Sequence, residues 1–297
     1  MSEIDSAREL PPPNLEELTL VRSTNPAWRV HLILPAIGGG RLAVSDLDAI
    51  SLQPEATALR VSGLDQATFE TLVEQHGQQC TAIHFWKCPR IQDFSPLESL
   101  PDLTLVSIYW NQRTSKLWNL AKTPKLRGLE FEDFSRLRNL EDLRNAAAIE
   151  ELSFGDKIWV KASVASLEPI SAVQTARRVS FAVRNVEDGR IQPLAHLPLL
   201  ERLECPSNLF TPEQLAWLRA HLHDTVESRV LAPFQKFDKP LPNPNGHGPD
   251  RNVLVMGKRK PFLNSQTDAS KLQRYVDEYW NMVAGFLEDP SLEPASA

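Results

Sequence analysis

The sequence predicts an α/β solenoid. It should form a right-handed arc of about seven repeats of 23–27 residues, with a parallel β-sheet on the concave face. Helical or 3-10 returns would line the convex face, with terminal caps and a C-terminal helical tail. Three observations carry this prediction. An apolar triplet with the spacing L-x-x-L-x-L recurs at a nearly constant interval. A second apolar group, spaced by three, follows each triplet. No motif for catalysis, metal binding or membrane insertion stands out from the pattern.

The triplet extends to a ninth-position Asn or Cys in three units: Cys80-x-x-Ile83-x-Phe85-x-x-Cys88, Leu103-x-x-Val106-x-Ile108-x-x-Asn111 and Leu200-x-x-Leu203-x-Cys205-x-x-Asn208. Three more units keep only the triplet: Leu126-Leu129-Phe131, Ile149-Leu152-Phe154 and Ala176-Val179-Phe181. Ala56-Leu59-Val61 precedes them. The units start at 56, 80, 103, 126, 149, 176 and 200, so successive differences are 24, 23, 23, 23, 27 and 24. The long step places an insertion near residues 157–166.

The second half of each unit supplies the return path. Phe94, Leu97 and Leu100 recur every three residues. Leu117 and Leu120, Leu140 and Leu143, Leu167, Ile170 and Val173, and Ile191, Leu194 and Leu197 do the same. That spacing is a 3-10 or helical signal. A parallel strand needs such a crossover before the next strand can pair. One unit cannot bury its triplet alone, whereas stacked units share a continuous core.

Residues 56–208 resemble the leucine-rich-repeat family of bacterial type, on seven units that agree in period and pattern. The resemblance implies a ladder of hydrogen bonds from the ninth-position Asn or Cys in the loop after each strand. The chain departs from it at Leu64, Phe134, Lys157 and Arg184, which implies looser loops there. Some bacterial proteins of this family carry a ubiquitin ligase domain with a catalytic cysteine. After residue 208 this sequence has no cysteine.

With the triplet inward, strand alternation turns the third, fifth and seventh positions to the concave face. In chain order these include Arg60; His84 and Trp86; Ser107 and Tyr109; Glu130 and Glu132; Glu151 and Ser153; Arg178; and Arg202 and Glu204. Trp86 and Tyr109 hold the same position in adjacent units, with Trp110 beside them. The face should therefore grade from aromatic through acidic to basic. The candidate binding residues are His84, Trp86, Tyr109, Trp110, Glu130, Glu132, Glu151, Arg178 and Arg202. The rival readings are that the tail covers the aromatics and that the acids are a solvated face.

The flanks read as caps. The chain is expected to divide into an N-terminal tail and cap over 1–55, repeats over 56–208, a capping helix within 209–230, and a tail over 231–297. Trp28-Arg29-Val30-His31-Leu32-Ile33-Leu34 is strand-like, and Gly38-Gly39-Gly40 reads as a tight turn because no phosphate-loop lysine follows. Thr211, Pro212 and Gln214 mark a helix start, with Phe210 and Leu215 spaced as a hydrophobic staple. Prolines between 231 and 252 suggest an extended loop, followed by a short strand at Val253-Leu254-Val255-Met256. Leu272, Tyr275, Val276, Tyr279, Val283, Phe286 and Leu287 mark an amphipathic helix at 268–288, which can dock on the solenoid or on a partner.

Charge and composition narrow the function. A net charge of −6 argues against nucleic acid as a partner. Lys258-Arg259-Lys260 is the one dense basic run and reads as a turn. No stretch reaches the ~18 apolar residues of a membrane span, and residues 1–14 lack a secretory h-region. Three cysteines do not make a disulfide framework, which points to a reduced, cytoplasmic protein. His221-x-His223 falls on two helix faces and is badly placed for a metal. Gly246-His247-Gly248 has no neighbour to tune it.

These features predict a non-catalytic protein-binding module without cofactor, acting through its concave face on a protein partner expected to be basic. An immunity-type inhibitor of a toxin fits that description. The alternatives are an effector secreted without a cleaved signal that acts on a host protein, and a ligand or enzymatic site in the tail around Lys258-Arg259-Lys260.

Overall fold

The computed structural model describes residues 29–32, 41–52, 54, 56–156, 162–242 and 248–295. Its centre is an eight-stranded sheet of β1 (Arg29–Leu32), β2 (Ala58–Val61), β3 (Ala82–Trp86), β4 (Leu105–Asn111), β5 (Gly128–Phe134), β6 (Glu151–Gly155), β8 (Arg178–Ala182) and β10 (Arg202–Glu204), in that spatial order. Every neighbouring pair is parallel. Seven strands fall on the seven predicted triplets. The eighth, β1, pairs Arg29 with Ala58 and Leu32 with Val61, so the strand-like segment before residue 34 joins the sheet. The predicted Gly38-Gly39-Gly40 turn lies outside the described residues.

Stacking explains the burial. Leu59, Val61, Ile83, Phe85, Val106, Ile108, Leu129, Phe131, Leu152, Phe154, Val179, Phe181 and Leu203 all lie in one core. Phe131, Phe154 and Phe181 occupy the same position in successive units and stack at 5.5 and 5.2 Å. Cys80 and Cys88 lie in this core too, and burial pushes both thiols up to about 12. Cys205 is only partly buried.

On the convex side the returns are 3-10 turns at Ser95–Ser99, Leu120–Lys122, Glu141–Asn145, Glu168–Ala172 and Gln192–His196. Two helical segments precede them. Val44–Leu47 and α1 (Asp48–Ser51) bury Leu47 and Ile50. The first full unit returns through a true helix, α2 (Gln66–His76), which buries Phe69, Leu72 and Val73. Asp65 caps it by accepting hydrogen bonds from the Thr68 backbone N (3.1 Å) and hydroxyl (2.9 Å). The backbone bond from Thr68 contributes most to holding its carboxyl below the usual range.

The ninth position works in two ways. Asn111 is fully buried: its Nδ2 donates to Cys88 O (3.2 Å) and Ile91 O (2.9 Å), and its Oδ1 accepts from the backbone N of Arg113 and Thr114 (both 2.9 Å). Leu64 and Phe134 instead plug the same place with apolar bulk. At those two positions the loop is filled by apolar bulk, whereas Arg184 is exposed and Lys157 lies outside the described residues. Asn208 is exposed and takes no inward position, because the chain turns there toward the cap.

The insertion predicted near 157–166 is partly described. β7 (Ser163–Val164) pairs in parallel with β9 (Asn185–Val186), a small second sheet that the repeat pattern does not announce.

At the C-terminal end, α3 (Pro212–His221) starts as predicted. Gln214 N donates to Thr211 Oγ1 (3.2 Å), and Thr211 N donates to Gln214 Oε1 (3.0 Å). Gln214 Nε2 also donates to Gly189 O (2.7 Å), tying the helix to the repeat beneath it. The outer edge of β10 is covered: Leu203 N donates to Glu227 O (3.0 Å), and Glu227 N donates to Glu201 O (2.8 Å).

The tail corrects one expectation. Residues 231–252 are not all loop, because β11 (Phe234–Leu241), β12 (Arg251–Val255) and β13 (Phe262–Leu263) form an antiparallel sheet. β11 is an edge strand with an irregularity between Lys236 and Leu241, and an edge or bulge is where Pro240 is tolerated. α4 (Ala269–Glu288) then packs on α3, burying Tyr279, Val283 and Phe286. Tyr279 OH donates to Leu231 O (2.9 Å) and Trp217 Nε1 to Leu292 O (2.9 Å). The amphipathic helix thus docks on its own chain, at the capped end of the arc.

Candidate protein-binding face

The sheet register decides which side chains meet. Trp86 is the direct strand neighbour of Tyr109, and their rings stack at 4.6 Å with 25° between planes. His84 sets its ring edge-on to Trp86 at 5.8 Å. The Arg60 guanidinium lies 4.9 Å from the Trp86 ring centre, and the Lys87 ammonium lies 5.1 Å from the same ring and 5.9 Å from Trp110. Cations over an indole face are attracted by its quadrupole. The end expected to be aromatic is therefore aromatic and cationic. Arg60 and Lys87 were not among the sequence candidates. The signal was present for Arg60, whose open-face position pairs it with His84 across the strands.

Backbone geometry fixes this cluster. The chain leaves four successive strands through left-handed residues at the eighth position: Gly63 (φ 78°), Lys87 (φ 55°), Trp110 (φ 62°) and Asp133 (φ 56°). Only glycine adopts that region freely. At Lys87 and Trp110 the side chains are thereby swung out of strand alternation and brought together.

The acidic part differs from expectation. Glu130, Glu132 and Glu151 are 7%, 3% and 5% exposed, so they are enclosed and not a solvated acidic face. A carboxylate withdrawn from water must be met by donors. The Ser107 hydroxyl donates to Glu130 Oε2 (2.6 Å), Arg178 Nη1 pairs with Glu151 Oε1 (2.7 Å), and all three glutamates hold further contacts. The basic part is also compensated. Arg178 faces Glu151 across the strands, and Arg202 pairs with Glu204 two residues away (2.6 Å). A concavity lies between these two pairs.

The nine candidates thus separate into two groups. His84, Trp86, Tyr109 and Trp110 form one half-buried cluster with Arg60 and Lys87. Glu130, Glu132, Glu151, Arg178 and Arg202 belong to self-compensated polar pairs and enclosed carboxylates.

The other sequence features resolve as structure. The Lys258–Lys260 turn is docked by Gly257 N on Ser207 O (2.8 Å) and Lys258 N on Phe210 O (2.7 Å), and Lys260 lies over Tyr275. His221 stacks on Trp217 at 4.0 Å, and its Nδ1 bonds Trp217 O, so it serves the cap. Gly246 and His247 lie outside the described residues. Among the described residues, no group of three His, Cys, Asp or Glu is placed to hold a metal ion, and no helix is long and apolar enough to cross a membrane.

Parallel strands stacked at a 23–27-residue period, with compact returns and caps at the end, define a leucine-rich-repeat solenoid. No family model matches the chain, and no curated protein is similar to it. Among solved structures, an internalin C2 from Listeria monocytogenes is similar at 17% identity and a TM-score of 0.40, over 52% of this chain and 63% of that one. An internalin F from the same organism is similar at 15% identity and a TM-score of 0.39, over 59% of this chain and 60% of that one. The chain therefore spans about three fifths of either internalin chain.

Proposed function

We propose that this protein is a non-catalytic interaction module that holds a partner protein on its concave face, anchored by Trp86, Tyr109 and Trp110. The observation that supports this most is the stacked Trp86–Tyr109 pair, flanked by Arg60 and Lys87 on the open face of the sheet. Trp, Tyr and Arg dominate the energetics of protein interfaces, and rings held by their neighbours lose little freedom on binding.

An immunity-type inhibitor and a host-directed effector both fit such a module. The expectation of a basic partner rested on solvated carboxylates. With Glu130, Glu132 and Glu151 enclosed, that preference loses its support on this face.

The test is affinity capture with wild type and with Trp86→Ala/Tyr109→Ala, both checked for folding by circular dichroism. A specific partner lost only in the folded double variant is the expected result. Hot-spot aromatics cost ~2 kcal/mol or more on truncation. A partner retained at full occupancy by the double variant sinks the proposal.

A further inference from the structure

The solenoid assembles a surface that no run of the sequence contains. Arg90, Arg113 and Arg136 sit 23 residues apart at the eleventh position of three successive units. The loops that carry them are in step. Cys88, Asn111 and Phe134 point inward just before the arginines, and Ile91, Thr114 and Leu137 point inward just after. Ser135 Oγ donates to Gln112 O (3.2 Å) and Thr114 Oγ1 to Gln92 O (3.0 Å), so neighbouring loops are bonded to each other. Buried anchors on both sides fix the arginines outward, and all three are exposed. They form a row along the rim where the strands end, next to Lys87 and Trp110. None of the three makes an ion pair among the described residues. The Asp65 carboxyl feels the charge of Arg90, but its own ion pair is with Arg41.

We infer that this arginine row receives an acidic segment of the partner protein. The inference rests on the reading of the chain as a protein-interaction module, and it names the chemistry of the partner. Guanidinium groups grip carboxylates bidentately and remain charged at any accessible pH. Strands in a parallel sheet lie ~4.8 Å apart, so the row is a one-residue-wide track suited to a single extended chain. A nucleic acid strand is the main rival for arginines beside aromatics. Two features disfavour it. The Trp86 and Tyr109 rings face each other, with Arg60 and Lys87 over the indole, so a base could not intercalate between the two rings without breaking that stack. The chain also carries a net charge of −6, a field that opposes a nucleic acid with a phosphate at every nucleotide more than a protein segment that bears a few carboxylates.

The experiment uses the full chain and fluorescence anisotropy at low salt, with two labelled probes: an oligoglutamate peptide and an oligouridylate of matched charge. The variants are Arg90→Gln/Arg113→Gln/Arg136→Gln and, as a charge-matched control, Lys122→Gln/Lys271→Gln/Arg274→Gln, which changes exposed cations away from the rim. Circular dichroism checks both folds. Oligoglutamate is expected to bind wild type and the control alike, and about tenfold more weakly to the rim variant, as three lost exposed pairs imply. Added salt should weaken that binding. Equal loss in the control, no loss in the rim variant, no binding of oligoglutamate, or oligouridylate binding as tight and as rim-dependent would each overturn the inference. If partner capture still depends on Trp86 and Tyr109 while the rim variant changes nothing, the rim assignment fails and the interaction module stands.

Discussion

Trp86 and Tyr109 stack because they are separated by 23 residues, one repeat, and the parallel register places them side by side on adjacent strands. Neither residue alone would make a platform. Their stack should be measurable as a coupling. In urea unfolding, a double-mutant cycle of Trp86→Ala and Tyr109→Ala is expected to give an interaction energy of about 1 kcal/mol. A coupling indistinguishable from zero would mean the rings do not meet in solution.

Phe154 lies between Phe131 and Phe181 and is 1% exposed. Phe154→Ala should cost about 3–5 kcal/mol, since the units on both sides are held by the sheet and collapse only partly into the cavity. Equilibrium denaturation checks it. A loss below about 1 kcal/mol would show that the repeats are packed more loosely than their stacking implies.

Asn111 and Asn208 hold the same position in the repeat but not the same job. Asn111→Ala strands two carbonyls and two backbone N–H groups, and should cost on the order of 2–3 kcal/mol. Asn208→Ala, at an exposed site, should be near neutral. Hydrogen exchange in the loop after β4 should rise only in the first variant.

The buried thiols give a pH signature. Burial raises Cys80 and Cys88 to about 12 from an ordinary value near 9. A thiol whose folded pKa is raised keeps its proton longer in the native state. Its contribution to stability is complete below pH 9 and is lost as pH rises toward 12. The melting temperature should therefore fall over that window, and part of the fall should vanish in Cys80→Ala/Cys88→Ala. At pH 8 a thiol reagent should label both cysteines slowly in native protein and quickly in urea. Fast native labelling at either would contradict their enclosure.

The periodic part of the molecule was readable from its sequence because burial repeats at a fixed interval. Leu103, Val106 and Ile108 announce their strand as plainly as Thr211, Pro212 and Gln214 announce the start of α3. What was hidden depends on dihedral angles or on contacts between units. The left-handed turns at Lys87 and Trp110 carry no glycine to mark them, so the grouping of those side chains around Trp86 was not visible. The enclosure of Glu130 and Glu151 depends on partners in neighbouring strands, Ser107 and Arg178, which linear order separates by 23 and 27 residues. Arg90, Arg113 and Arg136 are hidden for the same reason: they are 23 residues apart in the chain and form no basic run, unlike Lys258-Arg259-Lys260. α2 was legible in principle, since Phe69, Leu72 and Val73 keep the i, i+3, i+4 spacing of a helix and Asp65 is an N-cap residue ahead of them.

The backbone of Glu227 occupies the open hydrogen-bonding edge of β10. A bare terminal strand in a parallel sheet is a template on which a foreign strand can add, and a row of identical arcs could then join end to end into a filament. Here that template is already used within the chain. Lengthening the molecule by inserting whole repeats upstream preserves the seal, whereas trimming it back past residue 227 would create a sticky end. The solenoid is thus extensible in its interior but sealed at the edge of β10.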